Sequence, residues 1–215
     1  MTSTVALVAI TAGETDDDRL AALCDALAPG ALAIQVRGPT LGGAALYALA
    51  VRVVAVARPR GAEVWVNDRL DVALAVGADG VHLPERGFDV ATARAVAAGR
   101  GARLAIGVSR HAATVEDAAD RVHLGPIWGT PSKTGMGEPL GVPVLVVARP
   151  RVRGTLVAVG GIDGPSRAQA AAAAGADAVA VIRALWTASD LAAVARALVD
   201  AVRGGQRVAV SHGTP

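Results

Sequence analysis

The sequence predicts a single (β/α)8 barrel, and three observations carry that expectation. Short apolar runs rich in β-formers alternate with Ala/Leu-rich stretches of helical period. Eight such runs fit in 215 residues, roughly 27 residues per βα unit, near the lower limit for this barrel. Finally, the polar and glycine-rich punctuation follows the runs, where a barrel of this kind keeps its functional loops.

The strands expected are Val5–Ile10, Leu32–Arg37, Glu63–Asn67, Gly80–Leu83, Leu104–Val108, Val122–Gly125, Leu156–Val159 and Ala178–Ile182. They are almost wholly apolar, as strands of a parallel sheet covered by helices must be. Helical patterns span Asp16–Ala28, Leu41–Arg58, Asp89–Ala98 and Pro165–Ala174, with a last helix near Asp190–Arg203. No G-x-G-x-x-G follows the first strand, which removes the usual signal of an open dinucleotide-binding sheet. Val76–Leu83 and Ala174–Val181 echo each other: each ends a helix at Gly (Gly77, Gly175) and sets an Asp (Asp79, Asp177) before a strand. Both Asp residues are expected to be turn residues at the bottom of the barrel. One domain is expected over 1–210, with 211–215 a disordered tail.

Composition narrows the function. The residues are 53% hydrophobic but only 2% aromatic, so the core must be Ala, Val and Leu packed closely. The net charge is +2 and the pI about 9.3. The basic residues are dispersed, which argues against a nucleic-acid surface and suits a small anionic substrate. No apolar run reaches membrane-spanning length, and the amino terminus lacks a signal-peptide pattern. The single cysteine, Cys24, has no partner for an internal disulfide, so a reducing, cytoplasmic setting is the default expectation.

The candidate site residues follow the strands in order. Gln35 and Arg37 alternate onto one face at the end of strand two, and Arg can grip phosphate oxygens through two donors. After strand three, Asn67 can hydrogen-bond a ring or phosphate. The neighbouring Asp68 can hold Mg²⁺ or cap a helix beginning at Arg69. His82, in strand four, reads as a satisfied core residue, with Glu85 a second carboxylate near the mouth. Ser109 follows strand five as a phosphate donor, a helix cap, or both. Gly125–Gly137 forms a long loop of Gly, Pro, Ser and Thr with one lysine. Such loops in compact domains are usually functional, and here Thr130, Ser132 and Lys133 offer hydroxyls and a cation. Gly160-Gly161 ends strand seven just before a helix at Pro165, a pattern that brings backbone N–H groups to an anion. Ile182-Arg183 ends strand eight.

In this order and spacing, Gln35-Val36-Arg37, Asn67-Asp68-Arg69, GADGVHL at 77–83, GVSRH at 107–111, GPIWGTPSK at 125–133 and VAVGGI at 157–162 resemble the thiamine phosphate synthase family, which includes thiazole tautomerases. The resemblance implies a barrel enzyme that joins a hydroxymethylpyrimidine diphosphate to a thiazole phosphate and releases pyrophosphate. It assigns Gln35, Arg37, Asn67, Ser109 and Lys133 to the diphosphate, with Arg37, Ser109 and Lys133 closest to the chemistry. It assigns Asp68 to Mg²⁺, and Thr130, Ser132, Gly161, Ile182 and Arg183 to the thiazole-phosphate side, where the glycine pair also places Gly160 as substrate-binding. Small phosphorylated substrates are the partners it implies, and a homodimer is left open.

Three positions depart from the family pattern. Pro39 stands where the family's Q-x-R-x-K has its lysine. Gly87 stands where H-L-G-Q-x-D has a second metal-binding Asp, with Glu85 or Arg86 nearby. Arg183 stands where Ser is common. Leu83-Pro84 after strand four resembles the tautomerases, whose catalytic His is replaced here by Pro126. A synthase, a tautomerase-like isomerase and a non-catalytic binder all remain open at this point.

Overall fold

The structure, a computed structural model, describes residues 4–13, 15–112, 118–130 and 138–212. Its eight strands are β1 (Leu7–Ile10), β2 (Leu32–Val36), β3 (Glu63–Asn67), β4 (Gly80–Leu83), β5 (Ala105–Arg110), β6 (Arg121–Leu124), β7 (Thr155–Val159) and β8 (Ala178–Val181). Each pairs in parallel with the next, and β8 pairs with β1, closing the barrel. The expected (β/α)8 fold is the observed one.

Eight helices are present among the described residues: α1 (Asp17–Asp25), α2 (Gly43–Ala57), α3 (Leu70–Ala75), α4 (Val90–Gly99), α5 (Pro143–Ala148), α6 (Pro165–Ala173), α7 (Arg183–Trp186) and α8 (Leu191–His212). Their starts are written in the sequence. The Asp16 and Asp89 carboxylates accept the Arg19 and Thr92 amides at 2.8 and 2.7 Å, satisfying donors that a first helical turn leaves open. The last helix runs nine residues beyond Arg203, into the segment expected to be tail, while 213–215 lie outside the described residues. Gly204 and Gly205 do not stop it, and Gly205 serves packing. A Cβ at position 205 would sit 2.4 Å from the Gln169 carbonyl oxygen, so only glycine lets α8 lie this close to α6. No described helix is long and apolar enough to cross a membrane.

The outer faces of the strands, including Leu7, Ile34, Val64, Ile106 and Leu156, pack under the helices. The inner face holds Val8, Ile10, Ala33, Trp65, Val157, Ala178 and Ala180. One aromatic side chain fills much of this interior. The Trp65 ring lies over Gly80, where a Cβ would come within 2.5 Å of it. Arg121, which the sequence did not single out, is buried beneath. Its guanidinium lies 4.0 Å from the Trp65 ring centroid and 2.8 Å from the Glu63 carboxylate, to which the Trp65 indole also donates. Burial pulls the Arg121 pKa down, and Glu63 opposes that pull.

At the amino-terminal ends of the strands one device recurs. The Asp79 carboxylate accepts the Val64 amide and Asp177 the Leu156 amide, at 2.8 and 2.7 Å, so both are turn residues as expected. Asp120, not anticipated, does the same for Ile106 at 2.8 Å. Each carboxylate is paired with an arginine from the preceding helical layer: Arg58, Arg149 and Arg94 respectively. Between β1 and β2 that job falls to a carbonyl, Ala31, which accepts the Ala6 and Leu7 amides.

Candidate functional site

Every described candidate lies at the carboxyl-terminal rim. Gln35, on the inner face of β2, is buried, and its Nε2 donates to Asn67 Oδ1 at the end of β3 at 3.0 Å. This leaves the Gln35 carbonyl oxygen and the Asn67 amide as an acceptor and a donor side by side. Arg37 is held by its backbone. Thr11, buried after β1, accepts the Arg37 amide and donates to its carbonyl, both at 2.8 Å. The Arg37 guanidinium has no partner among the described residues. Thr11 was missed in the sequence, although a hydroxyl at the end of an apolar strand was its available signal.

Asp68 resolves one ambiguity. The helix after β3 begins at Leu70, its cap position is Arg69, and no side chain caps it. Asp68 is therefore not the cap. It is exposed, with φ +66°, the one described non-glycine residue in the left-handed region. Such a backbone costs energy and concentrates at functional positions.

His82 is buried, with its ring centroid 4.1 Å from that of His123 and its Nε2 2.9 Å from Ser109 Oγ. Ser109 caps no helix, because β5 continues through it to Arg110. Glu85, expected as a second carboxylate near the mouth, is bonded to His111 Nδ1 at 2.7 Å. Burial pushes the Glu85 pKa up, but the His111 hydrogen bond and charge outweigh this and hold it below its ordinary value of 4.5. The Gly87 amide closes a turn onto the Pro84 carbonyl at 2.9 Å.

A cavity of about 490 Å³ opens between the loops after β6, β7 and β8. Thr130, Gly160, Gly161, Ile182 and Arg183 all line it, and so do Arg167 and Thr187, which the sequence did not suggest. Gly160 and Gly161 have φ +98° and +69°. Cβ atoms there would lie 2.7 Å from Pro126 Cα and 2.6 Å from Trp128 Cβ, so both positions demand glycine. Pro126 is buried against this pair. Arg183 opens α7, and its exposed side chain has no partner among the described residues. Ser132 and Lys133 lie outside the described residues. A second hollow, of about 360 Å³ beside Arg94, Arg103 and Asp120, lies at the opposite end of the barrel. Its carboxylate is already bonded to the Ile106 amide.

The rim thus has two halves. One presents Gln35, Arg37, Asn67 and Asp68, and the other a glycine-backed cavity with a free guanidinium. No group of three metal-ligating side chains occurs among the described residues. Asp68 instead offers a single unspent carboxylate, which fits Mg²⁺ only as Mg²⁺ is usually held, with substrate phosphate oxygens completing its shell.

Comparison with known proteins points the same way. The family model described as thiamine monophosphate synthase matches residues 7–185. A putative thiamine-phosphate synthase from Geobacter sulfurreducens is 40% identical over 187 residues, covering 85% of this chain and 86% of that one. A thiamine biosynthesis bifunctional protein from Symbiobacterium thermophilum is 41% identical over 204 residues; the match covers 93% of this chain but only 41% of that longer protein. The solved structure of a thiamine phosphate pyrophosphorylase from Pyrococcus furiosus superposes with a TM-score of 0.81 at 26% identity, covering 94% of this chain and 98% of that one.

Proposed function

Because the chain belongs to the thiamine monophosphate synthase family, we propose that it is a transferase joining a hydroxymethylpyrimidine diphosphate to a thiazole phosphate, with release of pyrophosphate. The observation that carries this reading is that one barrel mouth brings together two sets of groups suited to phosphorylated ligands, one of them with a carboxylate able to hold Mg²⁺. Arg37 and Asp68 lie on one side, and Gly160, Gly161 and Arg183 on the other.

The division of labour follows from chemistry. The Gln35–Asn67 pair offers an acceptor and a donor to the edge of a heteroaromatic ring. Arg37, unspent among the described residues, takes the diphosphate, with Lys133 as a second cation. Ser109, steadied by His82, donates its hydroxyl to the same group. When the C–O bond to the diphosphate breaks, negative charge grows on the leaving pyrophosphate and positive charge on the pyrimidine methylene. Arg37, Lys133 and Ser109 therefore stabilise the transition state more than the ground state. Asp68 would hold Mg²⁺ together with the diphosphate, and the ion would supply further charge neutralisation there. The thiazole ring is held by its phosphate at Gly160, Gly161 and Arg183, with Thr130, Ser132 and Ile182 around it, so its nitrogen meets the methylene carbon. Holding both partners in one frame removes the entropic cost of their meeting.

Pro39 and Gly87 leave the diphosphate end one lysine and one carboxylate short of the family pattern. The reading therefore gives Lys133 a larger share of the leaving-group charge and makes Mg²⁺ binding depend on diphosphate. The reading carries a cytoplasmic setting and needs only small phosphorylated partners. A homodimer is compatible with it but not required. The test is incubation of purified protein with both phosphorylated precursors and Mg²⁺. Thiamine phosphate and pyrophosphate should form in equal amounts. No product from a protein that still binds the thiazole phosphate overturns the reading.

A further inference from the structure

We propose that Arg167 is a positioning residue whose guanidinium holds the Gly161 carbonyl, and thereby fixes the peptide after it with its N–H toward a bound phosphate. The proposal rests on the phosphate role of the cavity given above.

The loop after β7 is held at two successive carbonyls. The Trp128 amide donates to Gly160 O at 3.1 Å, and Arg167 Nη1 donates to Gly161 O at 2.5 Å. In a trans peptide the carbonyl and the following N–H point in opposite directions. Anchoring these two carbonyls turns the amides of Gly161 and Ile162 the other way, as an adjacent pair of donors. Such a pair of donors suits an anion, and both glycines lie in the left-handed region that favours glycine. Arg167 is itself located by the Asp163 carboxylate at 2.8 Å and by the Trp128 ring, whose centroid lies 5.5 Å from the guanidinium. With Asp163 beside it, its charge is already matched, whereas that of Arg183 is not. The two arginines of the cavity therefore differ in job: Arg183 meets the phosphate, and Arg167 shapes the backbone that meets it.

The test uses the full chain and inorganic phosphate as probe, with calorimetric titration and backbone amide NMR. In Arg167→Ala, phosphate affinity should fall about tenfold, the weight of one hydrogen bond to a charged group. The phosphate-induced shifts of the Gly161 and Ile162 amides should also be lost. Arg183→Ala should weaken phosphate as well but keep those amide shifts, and Arg167→Lys should recover part of the affinity. In turnover, KM for the thiazole phosphate should rise by more than kcat falls. Should Arg167→Ala fail to fold, Arg167→Lys is read instead, and an affinity between wild type and one tenth of it is expected. Phosphate affinity within twofold of wild type, weakened binding with intact amide shifts, or no phosphate binding by wild type would each overturn the proposal. A wild type that binds phosphate with these shifts but makes no thiamine phosphate would defeat the transferase reading and leave Arg167 its role.

Discussion

Replacing Asp68 separates what that residue does for the fold from what it does at the mouth. Its amide donates to the His82 carbonyl at 2.8 Å and its carbonyl accepts the Leu70 amide at 3.2 Å. Both bonds are backbone and survive any change of side chain. The exposed carboxylate contributes no bond among the described residues, so Asp68→Asn should change stability by less than about 0.5 kcal/mol, the range of surface changes. At φ +66° an ordinary side chain costs about 1–2 kcal/mol, which Asp and Asn partly escape. Asp68→Ala should therefore destabilise by about 1 kcal/mol, and lower Tm by about 2–4 °C for a chain of this size. Asp68→Gly removes the left-handed penalty but adds about 0.5–1 kcal/mol of unfolded-state freedom, so its Tm should stay near that of wild type. All three should lose Mg²⁺-dependent turnover by roughly 10²-fold or more, as when one preorganised electrostatic group is removed. Melting curves and product formation with and without Mg²⁺ measure both effects. If Asp68→Asn melts more than about 8 °C lower, the carboxylate is structural and the reasoning fails. It fails equally if that variant keeps its Mg²⁺ response.

Three further outcomes are expected. Gly161→Ala combines a left-handed backbone with a Cβ 2.6 Å from that of Trp128. It should cost roughly 2–4 kcal/mol and lower the calorimetric Tm by about 5–15 °C; a fall under 2 °C would contradict the geometry. Arg183→Ala should weaken thiazole-phosphate binding by roughly 1.5–3 kcal/mol in a titration, and unchanged affinity would show that the side chain points elsewhere. Glu85 is held below 4.5 by His111, so its stabilisation is complete above that pH and is lost as pH falls through the lowered value. The Tm of Glu85→Gln should consequently decline less steeply than that of wild type below pH 4.5, and parallel curves would rule the contact out as a source of acid sensitivity.

Much of this was legible in the sequence because barrel strands are short, apolar and followed by their polar residues. Leu32–Val36 announces a strand, and the Gln35 and Arg37 alternation announces which way its end faces. What stayed hidden depended on residues far apart in sequence. Arg167 reads as an ordinary exposed helix residue until the fold brings it beneath Gly161. Arg121 opens β6 without any motif around it, and only the closed barrel sets it against Trp65 and Glu63. Asp68 beside a coming helix looks like a cap, because sequence does not show that the chain turns left-handed there and starts the helix two residues later.

The carboxylates beneath the strands have a consequence for how such a mouth changes over time. In a sheet, slipping one strand by a single residue sends every side chain to the wrong face. Here Asp79, Asp120 and Asp177 each lock one strand pair at the amide of a strand's second residue, at the end of the barrel remote from the rim. Alignment is thus settled before the chain reaches the rim, and no rim residue is needed to keep it. Inheritance can then tinker at one end while the other keeps time. Residues such as Pro39, Gly87 and Arg183 can then stand at the rim while the strands beneath hold their places.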